Sequence, residues 1–257
     1  MQYNCTILYL NKVLIKREIS GVGSTLIKYM KKLVVLTGAG VSQESGISTF
    51  RDAEGLWEGH DITEVASLEG FANDPETVLS FYNQRRKQLL EVEPNNAHHY
   101  IAALEDHFDV QVITQNVDDL HERAGSTKVH HLHGELRKVR STKNDQLIVD
   151  WQDDLIVGDL AVDGSQLRPH IVWFGEEVFG LKEVKEICAT SDIMLVVGTS
   201  LTVYPAAGLI YYPPKKCPII LIDPNKPDIN MQRIHFVQKK AVVGMEEVAQ
   251  QLVDFYT

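Results

Sequence analysis

The fold is constrained most by an alternation of short apolar runs with amphipathic stretches. The apolar runs are rich in β-branched residues and cover 33–36, 110–114, 129–132, 193–197 and 218–222. The amphipathic stretches cover 75–91, 97–107, 181–189 and 245–256. Strands that alternate with helices in this way build a parallel, doubly wound sheet with right-handed crossovers. We therefore predict an α/β fold with a Rossmann-like parallel sheet.

Polar residues and glycines follow directly after four of the apolar runs, at Gly38, Gln115, His133 and Gly198. Ligands of such sheets bind at the carboxyl ends of the strands, so we expect these residues to share one site. The turn that begins at Gly38 reads as a strand opening into a helix, whose N-terminal N–H groups could bind a pyrophosphate. Many tight turns with Gly-x-Gly bind nothing, however, and the turn alone leaves both interpretations open.

The net charge indicates which partners the protein favours, and the cysteines indicate the compartment in which it works. The chain has 257 residues, enough for one large or two small domains, and a net charge of −10. This charge disfavours nonspecific nucleic-acid binding and favours a cationic partner, such as a lysine-rich protein. The three cysteines, Cys5, Cys188 and Cys217, form no disulfide framework and no Cys-x-x-Cys pair. From these cysteines we expect a cytoplasmic, reducing compartment. With no apolar run of about 18 residues, we also expect no membrane span and no membrane partner.

The first 29 residues differ from the rest of the chain. They lack the unbroken apolar core of a signal peptide. Met30 and two lysines then lead straight into the first apolar run. We expect residues 1–29 to be either an upstream N-terminal extension or the result of a mis-assigned, non-native start, and residues 30–257 to be the functional domain.

Six motifs resemble those of one family and occur in its order. They are the run GAGVSQESGISTFR at 38–51, TQNVD at 114–118, HLHGE at 131–135, RPHIVWFGE at 168–176, GTS at 198–200 and VYPAA at 203–207. Together they resemble the sirtuins, the NAD-dependent protein-lysine deacylases, over roughly residues 30–255. The resemblance implies a smaller inserted lobe, with a helical module at about 52–92 and a small β module at about 136–168.

The small β module departs from the family pattern. Most sirtuins hold a structural zinc there on two cysteine pairs, but this chain has Ser141 at the expected first ligand and no cysteine between 136 and 168. Structural zinc needs about four cysteine or histidine ligands, which the module lacks, so we predict that it is zinc-free. Apolar packing must then replace the metal, and the expected residues are Leu147, Val149, Trp151, Leu155, Ile156, Val157, Leu160 and Val162.

The resemblance also implies the roles of individual residues. His133 would be the general base, because an imidazole with a pKa near ~6.5 can accept a proton at neutral pH, although a lone histidine is usually structural. Asn116 would act with it in catalysis, while a loop with helix-capping Asn and Asp is the alternative for 115–118. The implied NAD-binding residues are Gly38, Ala39, Gly40, Ser42, Phe50, Arg51, Trp57, Gln115, Asn116, Asp118, Gly198, Thr199, Ser200, Asp223 and Ala241.

A further pair of residues bears on the acyl group. Tyr82 and Arg85 are three residues apart and share one face of a helix. In the simpler interpretation, the arginine lies at the surface over the tyrosine ring. The pair also resembles the Tyr-x-x-Arg motif of the desuccinylase and demalonylase branch, which implies that the two side chains bind the carboxylate of the acyl group. Arginine suits bidentate carboxylate binding. In that branch a small residue, here Ala53, widens the pocket. The implied peptide-binding edge is Val172, Trp173, Phe174 and Gly175.

The sequence thus predicts a monomeric NAD-dependent protein-lysine deacylase whose partners are acyl-lysine proteins. It would move succinyl, malonyl and acetyl groups to ADP-ribose with release of nicotinamide. An NAD-dependent ADP-ribosyltransferase or NAD hydrolase is the alternative. A non-catalytic NAD-binding module is disfavoured because His133, Asn116 and Asp118 are intact. A dehydrogenase is also disfavoured, because the polar Gln-Asn-x-Asp residues after the second predicted strand suit cleavage of a glycosidic bond better than redox chemistry.

Overall fold

The computed structural model describes residues 30–47, 56–57 (backbone only), 60–229 and 232–257. Its strands are β1 (Lys32–Thr37), β2 (Leu56–Trp57), β3 (His60–Asp61), β4 (Asp109–Thr114), β5 (Val129–His131), β6 (Gly134–Ser141), β7 (Ile148–Asp150), β8 (Leu167–Ile171), β9 (Ile193–Val197), β10 (Ile219–Ile222) and β11 (Ile234–Val237). Its α-helices are α1 (Ile62–Val65), α2 (Leu68–Asn73), α3 (Pro75–Glu91), α4 (Asn96–Ala103), α5 (Leu120–Arg123), α6 (Leu181–Ala189) and α7 (Ala241–Tyr256). The longest 3-10 helix is Ala206–Tyr211.

The main sheet confirms the predicted α/β class. Six strands pair in parallel in the order β11-β10-β9-β1-β4-β5. Central strand β1 pairs with β4 and β9, and this register places Thr37 beside Thr114 and Val197. The carboxyl ends of these three strands therefore meet at one edge of the sheet.

Both faces of the sheet are covered, which explains the unbroken apolar runs. Alternate residues of β1 point to opposite faces: Leu33 and Val35 join one core cluster with residues of α4 and α7. Val34 and Leu36 join a second cluster with residues of α6 and the 206–211 turn. All four side chains are fully buried, and each contributes roughly 1.5–3 kcal/mol by its removal from water.

The small lobe consists of α1–α3 and an antiparallel sheet in the order β7-β6-β8. Its main core joins α3 to β6 and to the segment after β8, through Val78, Phe81, Tyr82, Leu136 and Trp173. Of the described residues, no helix is long and apolar enough to cross a membrane.

The predicted packing of the small β module is mostly wrong. Leu155 is buried, but five of the eight expected side chains are exposed, up to 93% for Val162. Strand β7 has only three residues, all exposed, so it has no face to bury. The module's core is instead formed by Leu155 with Leu79 of α3, Val139 of β6 and Leu167 of β8.

Candidate functional site

A cavity of about 860 Å³ lies where the carboxyl edge of the main sheet meets the small lobe. Its volume is in the range typical of ligand sites. Nearly all the predicted site residues that are described line it: Gly38, Ala39, Gly40, Gln115, Asn116, Asp118, His133, Gly198, Thr199, Ser200, Asp223, Ala241, Tyr82, Arg85, Val172, Trp173, Phe174 and Gly175. Phe50, Arg51, Ala53 and the side chain of Trp57 lie outside the described residues.

The glycines at the sheet edge line the cavity and are also needed for close packing of two loops. A Cβ on Gly40 would lie 2.7 Å from Gly198 Cα, and one on Gly198, at φ +64°, would lie 2.4 Å from Val41 N. The N–H groups of Gly38 and Gly40 donate to the carbonyls of Val197 and Gly198. These two N–H groups are thus used to hold the loops together, and the turn continues as 3-10 helix rather than α-helix. The glycines are required by loop packing.

Ser42 lies behind the cavity wall and orders two of its residues. Its hydroxyl donates to Asp118 Oδ2 at 2.9 Å and accepts from Asn116 Nδ2 at 3.0 Å. His98 Nδ1 accepts from the Asn95 N–H, so His98 Nε2 carries the proton and donates to Ser42 Oγ at 3.4 Å. Burial lowers the pKa of His98 to about 4. The imidazole is therefore a neutral, fixed donor.

A second buried histidine supports the same wall from the sheet side. Thr37 Oγ1 donates its proton to Thr114 Oγ1, so it must accept from His121 Nε2 at 3.0 Å. Thr114 Oγ1 also accepts from the Asn116 N–H at 3.0 Å. Burial lowers the pKa of His121 well below its usual value. Neither His98 nor His121 was predicted from the sequence, because nothing in their local sequence distinguishes them from other histidines.

His133 presents the group that can accept a proton. Its Nδ1 is 2.9 Å from the carbonyl oxygen of Gln115, which can only accept a hydrogen bond. Nδ1 is therefore protonated and Nε2 carries the lone pair. Burial lowers the pKa of His133, partly opposed by the hydrogen bond to Gln115. The imidazole is accordingly neutral at pH 7, as a general base must be.

The polar groups of the wall fit a dinucleotide. Asp223, buried at the end of β10, suits ribose hydroxyls, and its Oδ1 also accepts from the Asn225 N–H. Gln115 Nε2 donates to Thr199 Oγ1 at 3.1 Å, which links the β4 and β9 ends of the site. Asn116 and Asp118 place an amide and a carboxyl group on the same wall. The residues of this wall could therefore hold NAD.

The small lobe supplies the other wall. Tyr82 Oη accepts from Trp173 Nε1 at 2.9 Å, and Arg85 Cζ lies 4.9 Å from the centre of the Phe81 ring. Arg85 therefore lies over an aromatic ring, as the simpler of the two interpretations expected, and it also lines the cavity. Phe174 is 61% exposed at the mouth.

Three backbone N–H groups of the predicted peptide-binding edge already donate hydrogen bonds within the chain, so fewer donors are available to a peptide than expected. The N–H groups of Val172, Trp173 and Phe174 donate to His133 O, Glu176 Oε2 and Ala66 O, respectively. A peptide strand added here must pair with carbonyl oxygens or with the chain from Gly175 onward.

A buried ion cluster fixes this edge. Glu176 Oε1 accepts from Arg168 at 2.7 Å and from Arg140 at 3.1 Å, while Oε2 accepts from Arg168 at 2.9 Å and the Trp173 N–H at 2.8 Å. Arg168 Cζ also lies 3.4 Å from the centre of the Trp173 ring. Arg168 and Glu176 both belong to the motif at 168–176, but their role was not predicted from the sequence. Opposite charges eight residues apart in that motif were the available signal.

Known proteins match the chain along most of its length. The sequence model of the Sir2 family matches residues 38–205. An "NAD-dependent protein deacylase" of Helicobacter pylori is 54% identical over 226 residues, 88% of this chain and 99% of the relative. A Sir2 homologue solved with NAD has a TM-score of 0.78 and 39% identity over 88% of this chain and 90% of its own. A Sir2 structure bound to acetylated peptide has a TM-score of 0.71 and 28% identity, and the match covers 88% of this chain and 93% of that one. The chain belongs to the Sir2 family.

Proposed function

We propose that this protein is an NAD-dependent protein-lysine deacylase, in which the acyl group of an acyl-lysine is transferred to ADP-ribose and nicotinamide is released. The observation that carries the proposal is His133, a neutral imidazole with its Nε2 lone pair on a wall shared with Asn116 and Asp118. The name of the Helicobacter pylori relative and the NAD-bound neighbour support it.

The chain's own residues divide the work. Bound NAD supplies a ribosyl carbon activated by a leaving nicotinamide. Ser42, supported by His98, orients Asn116 and Asp118 toward the nicotinamide end, and Asp223 binds the far ribose. His133 Nε2 takes up a proton from a sugar hydroxyl, and its Nδ1–H bond to Gln115 O stabilises the imidazolium that results. The small lobe admits the acyl-lysine between Tyr82, Arg85 and Trp173.

One assay tests this function against its rivals. Purified protein is incubated with NAD and a panel of acyl-lysine peptides, and both deacylated peptide and free nicotinamide are measured by mass spectrometry. A deacylase consumes NAD only when acyl-peptide is present, with one nicotinamide released for each lysine freed. NAD consumption that is independent of acyl-peptide would support an NAD hydrolase or ADP-ribosyltransferase instead.

We further propose that acyl groups ending in a carboxylate are preferred substrates alongside acetyl. The support is the position of Tyr82 and Arg85 on the same wall, opposite the sheet edge. Arg85→Met should lower kcat/KM for a succinyl-lysine peptide about 30-fold more than for its acetyl form, as expected for the loss of a charged hydrogen bond worth about 2 kcal/mol. Equal losses with both peptides would remove the preference.

We also propose that the small β module folds without zinc, held by a hydrogen-bonded cluster around Ser141. Ser141 Oγ donates to Asp163 Oδ2 at 2.7 Å, lies 2.6 Å from Ser165 Oγ, and accepts from the N–H groups of Lys143 and Asn144. These contacts tie the turn after β6 to the loop before β8, where a zinc would otherwise join them. Of the described residues, no three histidine, cysteine or acidic side chains cluster as metal ligands.

Three measurements test the metal-free module. Metal analysis of protein purified without added metal should find far less than one zinc per chain, and a chelator should leave the thermal midpoint unchanged. Ser141→Ala should lower stability by about 1–2 kcal/mol, because the buried hydroxyl makes several bonds at once. One tightly bound zinc per chain would refute the proposal directly.

A further inference from the structure

The small β module exposes a stretch of apolar side chains. Six of them are between 41% and 93% exposed and lie within fifteen residues of the chain: Ile148, Val149, Ile156, Val157, Leu160 and Val162. Exposed apolar residues scattered singly are ordinary, whereas a group of them rimmed by polar residues marks an interaction site. None of these six described side chains lines the cavity at the main sheet. We call strand β7 together with the loop 153–163 the module surface.

The loop that carries Val157 is fixed by hydrogen bonds and follows directly after Leu155 of the module's core. The Asp159 N–H donates to Ile156 O at 3.2 Å, which closes a turn around Val157. The Gln166 side chain donates to the same carbonyl oxygen at 3.0 Å. Turns favour Gly, Pro, Asn, Asp and Ser, and this hydrogen bonding does not require a valine. The valine is thus presented by a fixed loop, so a partner could cover it without first having to order the loop.

Strand β7 offers an open backbone edge beside this loop. It is the last strand of its sheet and pairs with β6 along one side. The Trp151 N–H donates to Arg137 O, and Leu147 O accepts from β6. Bonded residues alternate along an antiparallel strand, so the N–H and C=O groups of Ile148 and Asp150 point away from β6. An extended chain could add to the sheet at these groups.

The module surface is strongly acidic. Between residues 144 and 167 the chain has no lysine, arginine, histidine or glutamate but six aspartates, Asp145, Asp150, Asp153, Asp154, Asp159 and Asp163. Lys87 pairs with Asp154 at 2.8 Å, and Arg140 lies 3.5 Å from Asp145. Asp159 and Asp163 accept hydrogen bonds from within the module. The carboxylates of Asp150 and Asp153 are exposed and contact no basic side chain among the described residues, so their charges are available to a partner.

The two faces of β7 differ in character. Val149 lies opposite Val139 of β6, whose side chain belongs to the module's core, so Val149 is on the core side. Asp150 is on the other face, opposite Lys138, which is itself paired with Glu135 at 2.8 Å. A strand added at this edge would therefore meet an apolar side chain on one face and a carboxylate on the other. Alternating apolar and basic residues match both faces.

We propose that the module surface is a docking site for an extended segment of a partner protein in which basic residues alternate with apolar ones. The open edge would bond the backbone of this segment, the exposed valines would cover its apolar side chains, and Asp150 and Asp153 would pair with its basic ones. A second copy of this chain is disfavoured as the occupant, because it would bring six more aspartates against the first six. The inference goes beyond the proposed function, since none of these groups lines the cavity.

Direct binding of labelled peptides to the full-length protein tests the charge and the pattern of the partner. The first peptide alternates lysine and valine over about ten residues. The second replaces each lysine with glutamate, and the third keeps the composition of the first but separates its lysines and valines into two blocks. Fluorescence anisotropy in about 50 mM salt should give a Kd for the first peptide at least about tenfold below that of the other two.

Variants of the module surface then locate the site. Ile148→Pro removes an N–H that points away from β6 and should weaken binding of the alternating peptide about fivefold. Val157→Ser should weaken it by a similar factor, because less apolar surface is covered. Asp150→Asn combined with Asp153→Asn should weaken it about three- to fivefold in low salt and have no effect in about 0.5 M salt.

Matched controls change the same groups elsewhere. Val243→Ser replaces another half-exposed valine, and Glu186→Gln combined with Glu246→Gln removes two exposed negative charges from α6 and α7. Both controls should leave Kd within about twofold. Surface variants that also stay within twofold would overturn the inference, as would equal binding of the glutamate or block peptide. So would a wild-type dimer that Val157→Ser dissociates in sedimentation experiments, because the surface would then bind a second copy.

A separate readout distinguishes this inference from the proposed function. Deacylation of a short acetyl-lysine peptide should be the same in the wild type and in the variants of Val157, Asp150 and Asp153. Absence of deacylation in the wild type would count against the proposed function and leave the peptide-binding result intact. Deacylation with no specific binding of the alternating peptide would overturn the docking site alone.

Discussion

Replacing Glu176 with glutamine tests the ion cluster that fixes the predicted peptide edge. The carboxylate is 16% exposed, and its partners Arg168 and Arg140 are 5% and 3% exposed. Glu176→Gln keeps the shape but removes the counter-charge beside the buried Arg168 guanidinium, and it leaves Arg140 paired with the exposed Asp145 at 3.5 Å. Breaking a buried pair from one side costs about 3–5 kcal/mol, and we expect about 3 because the amide oxygen still accepts one bond. The thermal midpoint should fall by roughly 6–12 °C.

Chemical and thermal denaturation measure this loss, and Glu177→Gln is the matched control. Glu177 is the next residue and is exposed, so the same change of charge there should cost less than about 0.5 kcal/mol. A free energy of unfolding for Glu176→Gln within about 1 kcal/mol of the wild type would show that the cluster is not a buried ion pair in solution.

The pH dependence identifies the charge as the source. Burial alone would raise the pKa of Glu176, but the hydrogen bonds and positive charges of Arg168 and Arg140 outweigh it and lower the pKa. A carboxyl with a lowered folded pKa stabilises the fold above its unfolded pKa, and this stabilisation is lost as pH falls through the folded value. The difference between wild type and Glu176→Gln should therefore be constant from about pH 8 to 5 and shrink below about 4.5. A difference that persists unchanged at about pH 3 would refute the reasoning.

Three further predictions follow from the site. Gly198→Ala should cost at least roughly 2 kcal/mol in denaturation experiments, because its Cβ would meet Val41 N at 2.4 Å. His133→Asn should lower kcat for deacylation at least about 100-fold, while calorimetry should still detect NAD binding. In the wild type, the acid limb of the pH profile of kcat/KM should lie below pH about 6.5, because burial lowers the pKa of His133. Burial lowers the pKa of His98 to about 4, so the unfolded state takes up a proton that the fold excludes. This group alone should make stability rise with pH between about 4 and 6.5 by on the order of 3 kcal/mol, and His98→Asn should remove that part of the rise while the part due to His121 remains.

The main sheet could be predicted because its strands are buried on both faces. A strand such as Ile193–Val197 must then be wholly apolar. The start of helix Pro75–Glu91 is marked by a proline at its first position and by the capping Asp74 before it. Helix α7 starts at Ala241, four residues earlier than predicted. The Glu44 carboxylate accepts from its Val242 N–H at 3.0 Å, a cap from the other end of the chain that no local pattern reveals.

The small β module was less predictable because polar contacts hold it. Its apolar residues suggested a buried face, yet the turn after β6 is fixed by Ser141, and Gln166 bonds the loop at Ile156 and Gly158. Hydrogen bonds between residues some 10–25 positions apart have no periodicity, so hydrophobic patterning does not detect them.

The choice of base among neighbouring histidines illustrates the same limit. His131 Nδ1 lies 3.2 Å from Asn116 O and its Nε2 lies 2.7 Å from Glu122 Oε1, so both nitrogens donate. Burial disfavours its charge, but the hydrogen bond and charge of Glu122 outweigh it and raise the pKa of His131. An imidazole in that state has no lone pair to offer. His133, with one carbonyl partner and a lowered pKa, keeps a lone pair at the cavity. Two histidines two residues apart thus differ in chemistry because one meets a carboxylate and the other does not, and that difference is fixed by tertiary contacts that the motif does not contain.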